Sequence, residues 1–210
     1  MHISMAMLAS YLIGSIPFGL LIGKSRGVDI RAAGSGNIGA TNVMRVVGKT
    51  WGILTLILDA LKGVVSAAVL PLTVGESAPE LLGLLCGVAA IAGHSFPIYL
   101  RFKGGKGVAT SAGVLLGVTP AAFGVGIAVF LTLFVLFRYV SLGSIGAALA
   151  VPIAAYFFRE PLEVTLVLVL LAAVVIWKHK DNIRRLVAGT ENRVGKSKKN
   201  GPSAAADPAE

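Results

Sequence analysis

The chain has 210 residues, of which 55% are hydrophobic and only 14% charged, with a mean hydropathy of +0.82. A soluble domain of this length has no interior large enough for so much apolar surface, so a water-soluble globular fold is excluded and a multi-pass membrane protein is indicated. The formal net charge of +9 does not indicate a nucleic-acid binder: the basic residues flank apolar runs, with no aromatic stacking platform or groove-reading helix beside them.

About twenty apolar residues cross a bilayer. By that rule the chain reads as an all-α membrane bundle with spans near residues 3–23, 50–72, 81–99, 119–137, 140–158 and 162–177. A seventh, shorter span runs from about Gly107 to Gly117, partly re-entrant or sheltered by its neighbours. The first run lacks a basic leader region, so it is read as a span and not as a cleaved signal. With seven spans and the N-terminus outside, residues 24–49 and 100–106, the Arg138–Tyr139 turn and everything from Lys178 onward face the cytoplasm. Of the Lys and Arg residues only Lys62, within the second span, and Arg159 then lie elsewhere, while Glu76, Glu80, Glu160 and Glu163 fall on the outer face. That is the positive-inside pattern, and omitting the short span would turn the Lys-rich tail outward. Residues 1–194 form one integral-membrane domain, and residues 195–210, polar and proline-containing, are expected to be a disordered cytoplasmic tail. The single cysteine, Cys86, falls mid-span and reads as a small core residue.

Between the first two spans lies GSGNIGATNVMR, residues 34–45. Gly34, Gly36 and Gly39 match a dinucleotide fingerprint in form only, because no strand precedes them, and Ala40 stands where a phosphate-binding loop needs lysine. What remains is a loop whose amides converge on an oxyanion, with Ser35, Asn37, Thr41 and Asn42 adding neutral polar groups and Arg45 a planar cationic fork. In the second span, Asp59 and Lys62 lie three residues apart on one face, where isolated charges are costly, and a mutual ion pair is expected.

The next cytoplasmic loop carries Lys103, Gly104, Gly105, Lys106 and Gly107. A helix starting there would aim its positive end at a phosphate on the loop. Ser141 and Ser144 open the sixth span on the same side, and Ser144 is a candidate substrate contact. Beyond the last span, His179, Asn182 and Arg185 follow at three-residue spacing and share a helical face. His2, His94 and His179 are far apart in sequence, so neither a metal nor a cofactor is expected.

Together these segments resemble the bacterial acyl-phosphate:glycerol-3-phosphate acyltransferases. The likeness runs from Gly14-Ser15-Ile16-Pro17 to Glu191. It rests on Gly34, Ser35, Asn37, Gly39, Asn42 and Arg45, on Lys103 to Gly107, and on His179, Asn182, Ile183, Arg185, Leu186, Gly189 and Glu191. The resemblance implies transfer of a fatty acyl group from acyl phosphate to glycerol 3-phosphate, giving lysophosphatidate and phosphate, with membrane lipid as the medium. It also implies that the second-motif glycines take glycerol 3-phosphate, that Ser35, Arg45, Lys106, His179 and Asn182 serve activity, and that Glu191 is structural. No covalent enzyme intermediate is required, because the donor is a mixed anhydride. Two anions must be gathered and the tetrahedral oxyanion stabilised, with His179 or a donor phosphate oxygen taking the hydroxyl proton. Pulling a long acyl chain out of lipid costs roughly 0.8 kcal/mol per methylene, on the order of ten in all, so the site should open sideways to the bilayer. The HxxxxD pattern of other glycerolipid acyltransferases is absent, since Tyr99 and Arg184 stand five residues after His94 and His179.

Two other classes fit less well. A transporter of organic phosphate anions would distribute its polar loops across both faces. A phosphotransferase acting on CDP-lipids would need clustered aspartates, and Asp29, Asp59, Asp181 and Asp207 are scattered.

Overall fold

The computed structural model describes residues 2–75 and 78–195. The expected tail after Gly195 and the loop residue Glu76 lie outside the described residues. All regular structure described is helical: α1 Ile3–Ser15, α2 Phe18–Ser25, α3 Ala40–Val46, α4 Lys49–Val64, α5 Leu82–Ser95, α6 Val108–Val118, α7 Pro120–Phe137, α8 Val140–Phe157, α9 Leu162–Lys178 and α10 Lys180–Val187. α4 continues through a π-helical turn and a 3-10 turn to Val74, and a short 3-10 turn, Ile98–Leu100, follows α5.

Five helical stretches are long and apolar enough to cross a membrane: Ile3–Ser25, Lys49–Val74, Leu82–Leu100, Pro120–Phe137 and Val140–Phe157. α9 and α10 would make a sixth, bent by 59°. α6 is the expected short segment. Its 11 residues reach about 16 Å at about 1.5 Å per residue, against a hydrocarbon core of about 30 Å. It survives at that length because α4 and α5 shelter it.

Two pairs of glycines set the closest helix contacts. A Cβ on Gly14 would collide with the Ala90 carbonyl and one on Gly93 with that of Tyr11, which locks α1 to α5; Gly63 and Gly113 do the same for α4 and α6. Of the small residues in the expected spans, Gly83, Gly87, Gly126 and Gly146 do sit at helix contacts, whereas Gly124 faces open space. α7, α8 and α9 complete the bundle around Leu84, Ala122, Val151, Ala154, Ala155, Val164 and Leu168. Cys86 is fully buried beside Ala6 and Leu82. Large apolar side chains such as Leu72, Val135, Phe157 and Leu170 point outward, as a lipid-facing surface requires.

The first span is broken at Ile16 and Pro17, which the hydropathy pattern does not reveal. Lys62 donates to Ile16 O at the break, at 3.2 Å and alongside the Phe18 N–H at 3.1 Å, while pairing with Asp59 at 2.8 Å as expected. The buried ammonium therefore serves the backbone as well as its carboxylate.

Candidate active site

The loop from Arg26 to Gly39 is built around Asn42. This side chain is 2% exposed; its amide donates to Ile30 O at 2.8 Å and Ala33 O at 3.1 Å, and its oxygen accepts the Ser35 N–H at 2.8 Å. Gly34 adopts φ +63°, and a Cβ there would strike Asn42 Oδ1, so only glycine lets the clip close. Asn37 similarly accepts the Gly39 N–H at 2.8 Å. The amides of Ser35, Gly36 and Gly39 are thus all bonded within the loop. These three amides are therefore committed to the loop itself, and the scaffold they make presents side chains: the exposed Ser35 and Thr41, and Arg45 from the last turn of α3.

The second motif has no regular secondary structure up to Gly107, the residue before α6. The Gly105 N–H donates to His94 O at 3.1 Å, and Arg31 Nη2 donates to Lys103 O at 3.2 Å, so the loop is pinned from both sides. Lys106 reaches across to the third motif and donates to Asn182 Oδ1.

In the third motif His179 sits at the bend between α9 and α10, past the end of the span. It is 3% exposed, and its Nδ1 lies 2.8 Å from Val175 O. A carbonyl accepts only, so Nδ1 carries the proton and Nε2 is left with a lone pair. Burial, followed by the Lys106 ammonium, pushes the imidazole down to about 4, so the ring is neutral at physiological pH. Asn182 and Arg185 converge on Glu191 instead of lining up as one free face. Glu191 accepts from Asn182 Nδ2 at 2.6 Å, from Ser141 Oγ at 3.0 Å and from Arg185 Nε at 2.7 Å. These bonds hold its carboxyl below the usual range against the opposing effect of partial burial. Lys106 is pushed down to about 8, chiefly by burial, with Arg185 and Arg45 nearby adding to the effect and Glu191 opposing it.

All three motifs line one polar cavity of about 730 Å³. Every candidate lies in its wall except Gly34, which stands behind it as part of the loop clip: Ser35, Asn37, Gly39, Thr41, Asn42, Arg45, Lys103, Gly104, Gly105, Lys106, Gly107, Ser144, His179, Asn182 and Arg185. The three acidic wall residues, Asp59, Asp181 and Glu191, are engaged by Lys62, Arg184 and Arg185, which leaves Arg31, Arg45, Lys103, Lys106, Lys178 and Lys180 as a positive excess. Val108, Phe130 and Ser144 are shared with a second, apolar cavity of about 100 Å³ between α6, α7, α8 and α9. Ser144 is 4% exposed and donates to Val140 O at 2.8 Å, so it stands at this junction with its proton already committed. A cationic space thus borders an apolar one at Val108, Phe130 and Ser144.

Sequence reasoning missed Ser141 as a partner of Glu191, and Arg31, Asp59 and His94 as wall residues. Ser141 is visible in the sequence beside Ser144, but its bond to Glu191 joins residues fifty apart and carries no local signal, and His94 gives no sequence signal beyond its polarity in an apolar span.

A family model described as glycerol-3-phosphate acyltransferase matches residues 4–189. A relative of that name from Geobacter sulfurreducens is 52% identical over 185 residues, covering 88% of this chain and 93% of its own, and one from Geotalea daltonii is 48% identical over 189 residues, covering 89% and 94%. The crystal structure of PlsY, an integral membrane glycerol 3-phosphate acyltransferase in its glycerol 3-phosphate form, superposes with a TM-score of 0.85 at 39% identity, over 92% of this chain and 96% of that one. Its lysophosphatidic acid form superposes with a TM-score of 0.83 at 38% identity, over 92% and 95%.

Proposed function

This chain belongs to the glycerol-3-phosphate acyltransferase family, and from that premise we propose that its cavity moves a fatty acyl group from acyl phosphate to glycerol 3-phosphate. The products are lysophosphatidate and inorganic phosphate. The observation that carries this reading is a cationic cavity bordering an apolar one, with Val108, Phe130 and Ser144 in the walls of both: the first takes two phosphates, the second the start of an acyl chain.

The chemistry follows from the groups in place. Lys106 and Lys103, with the start of α6, hold the glycerol 3-phosphate headgroup, and Arg45 with Ser35 and Thr41 holds the phosphate of the donor. Their charge offsets the repulsion between two dianions and stabilises the oxyanion as the acceptor hydroxyl adds to the acyl carbon. His179 Nε2 accepts the hydrogen bond of that hydroxyl and orients it. A base that titrates at about 4 holds a proton weakly at neutral pH, so the proton passes on to the departing phosphate. Asn182, Arg185 and Glu191 keep Lys106 in register, and Asn37, Asn42, Gly34 and Gly39 hold Ser35 in place. Gly104, Gly105 and Gly107 give the second loop its close approach, and Ser144 marks where the acyl carbonyl passes from polar to apolar surroundings.

Seven passes, with the N-terminus outside and the cavity facing the cytoplasm of a bacterial inner membrane, fit this reading. Val194 N–H donates to Arg138 O at 2.9 Å, so the α7–α8 turn lies beside the third motif; the chain therefore leaves the cavity with α6 and returns with α7. Residues 1–194 act as one domain.

The test is an isotope trace. Palmitoyl phosphate labelled in the oxygen bridging carbon and phosphorus, turned over with glycerol 3-phosphate, should deliver all label to inorganic phosphate. Label in the lysophosphatidate ester or in free palmitate would refute attack at the acyl carbon.

A further inference from the structure

His94, in the last turn of α5, is 7% exposed and has no part in the chemistry above. Its ring lies directly beneath the second motif: a Cβ on Gly105 would collide with Nε2, and one on Gly104 with the His94 carbonyl. That carbonyl also accepts the Gly105 N–H at 3.1 Å. On the ring's other edge Nδ1 faces Asp59 Oδ1 at 3.6 Å, and Asp59 is held by Lys62 at 2.8 Å. Lys62 in turn is fixed to Ile16 O, at the break of the first span. A stack therefore runs from α1 through α4 and α5 to the loop, and both Asp59 and His94 line the polar cavity. Mere packing beneath a glycine loop would be met by an apolar ring without the cost of burying a polar one.

We infer that His94, seated on Asp59, is a positioning residue for glycerol 3-phosphate: its ring sets the height of the Gly104–Gly105 backbone and, through it, the reach of Lys106. The inference rests on the acyltransferase reading and deepens it by assigning the floor of the acceptor subsite. It also explains why position 105 is glycine, since any side chain would meet the imidazole.

The test is a double-variant cycle with both Michaelis constants measured. His94→Ala should raise KM for glycerol 3-phosphate about tenfold while leaving KM for palmitoyl phosphate within about twofold, because only the acceptor loop shifts. Gly105→Ala should do the same in the native background. Once His94→Ala has removed the ring, the added methyl has room, so Gly105→Ala should cost about nothing more and the cycle should be strongly non-additive. Asp59→Asn should move the same constant by a smaller factor. If His94→Ala does not survive purification, His94→Ser, which also removes the ring, carries the same comparison. An unchanged acceptor KM, a parallel loss in both substrates, or an undiminished cost of Gly105→Ala without the ring would each overturn the inference. A native enzyme that made no lysophosphatidate at all would instead refute the acyltransferase reading, with glycerol 3-phosphate binding to the same variants left to judge the His94 role.

Discussion

Lys106 ties the second motif to the third through Asn182, and in the proposed reading it holds the glycerol 3-phosphate headgroup. Its ammonium loses a proton at about 8, so it is charged below that pH and neutral above it. KM for glycerol 3-phosphate should therefore climb as pH rises through about 8, and Lys106→Arg, whose charge persists, should push that rise to higher pH; a Michaelis constant measured across the range checks this. His179 titrates in the opposite sense for activity: it is neutral above about 4, so kcat should show no acid limb at the ordinary histidine value and should fall only near 4. Replacing Arg45 or Lys106 with alanine removes a charge-assisted contact of about 1.5–3 kcal/mol, which predicts a loss of between about tenfold and a hundredfold in kcat/KM. Full activity in both variants would remove the anion site. These residues were legible because charge and spacing marked them. The inward turn of the loop amides was not, since sequence does not say that Asn42 would claim three backbone groups at once. Nor does it show that Glu191 would gather three donors, because that depends on which lone pairs face which helix.

At the level of elements, span positions followed hydropathy to within a few residues, whereas the internal breaks did not. An apolar average runs straight through Ile16–Pro17, and it stops before His179 without showing that a second helix leaves there at 59°; yet both breaks position polar groups. The Asp59–Lys62 pair shows the cost of such a break. Asp59→Asn or Lys62→Met alone leaves an uncompensated buried charge, about 3–5 kcal/mol, while the double variant removes both. Because Lys62 also serves Ile16 O, the double variant should retain a residual loss but unfold at a clearly higher temperature than either single variant in detergent. Equal losses in all three would sink the pairing.

Across the whole molecule, convergence of the three motifs was expected from charge asymmetry, and the structure places them in one cavity. The apolar cavity was foreseen only as a sideways opening, because its walls are unremarkable Ala, Leu and Val positions whose meeting depends on the short α6. Filling it should act on the donor alone: Ala148→Leu, at its lining, should shift preference toward shorter acyl phosphates without moving the glycerol 3-phosphate constant. The topology can be read in whole cells from single cysteines placed in a Cys86→Ala background, with a cysteine at Glu160 labelled by an impermeant reagent and one at Arg193 protected. The most direct test of the whole account is to give the purified protein labelled glycerol 3-phosphate, in chelator, with palmitoyl phosphate or with palmitoyl-CoA. Lysophosphatidate from the acyl phosphate alone is the predicted result; product from the thioester, or none from either donor, would contradict it.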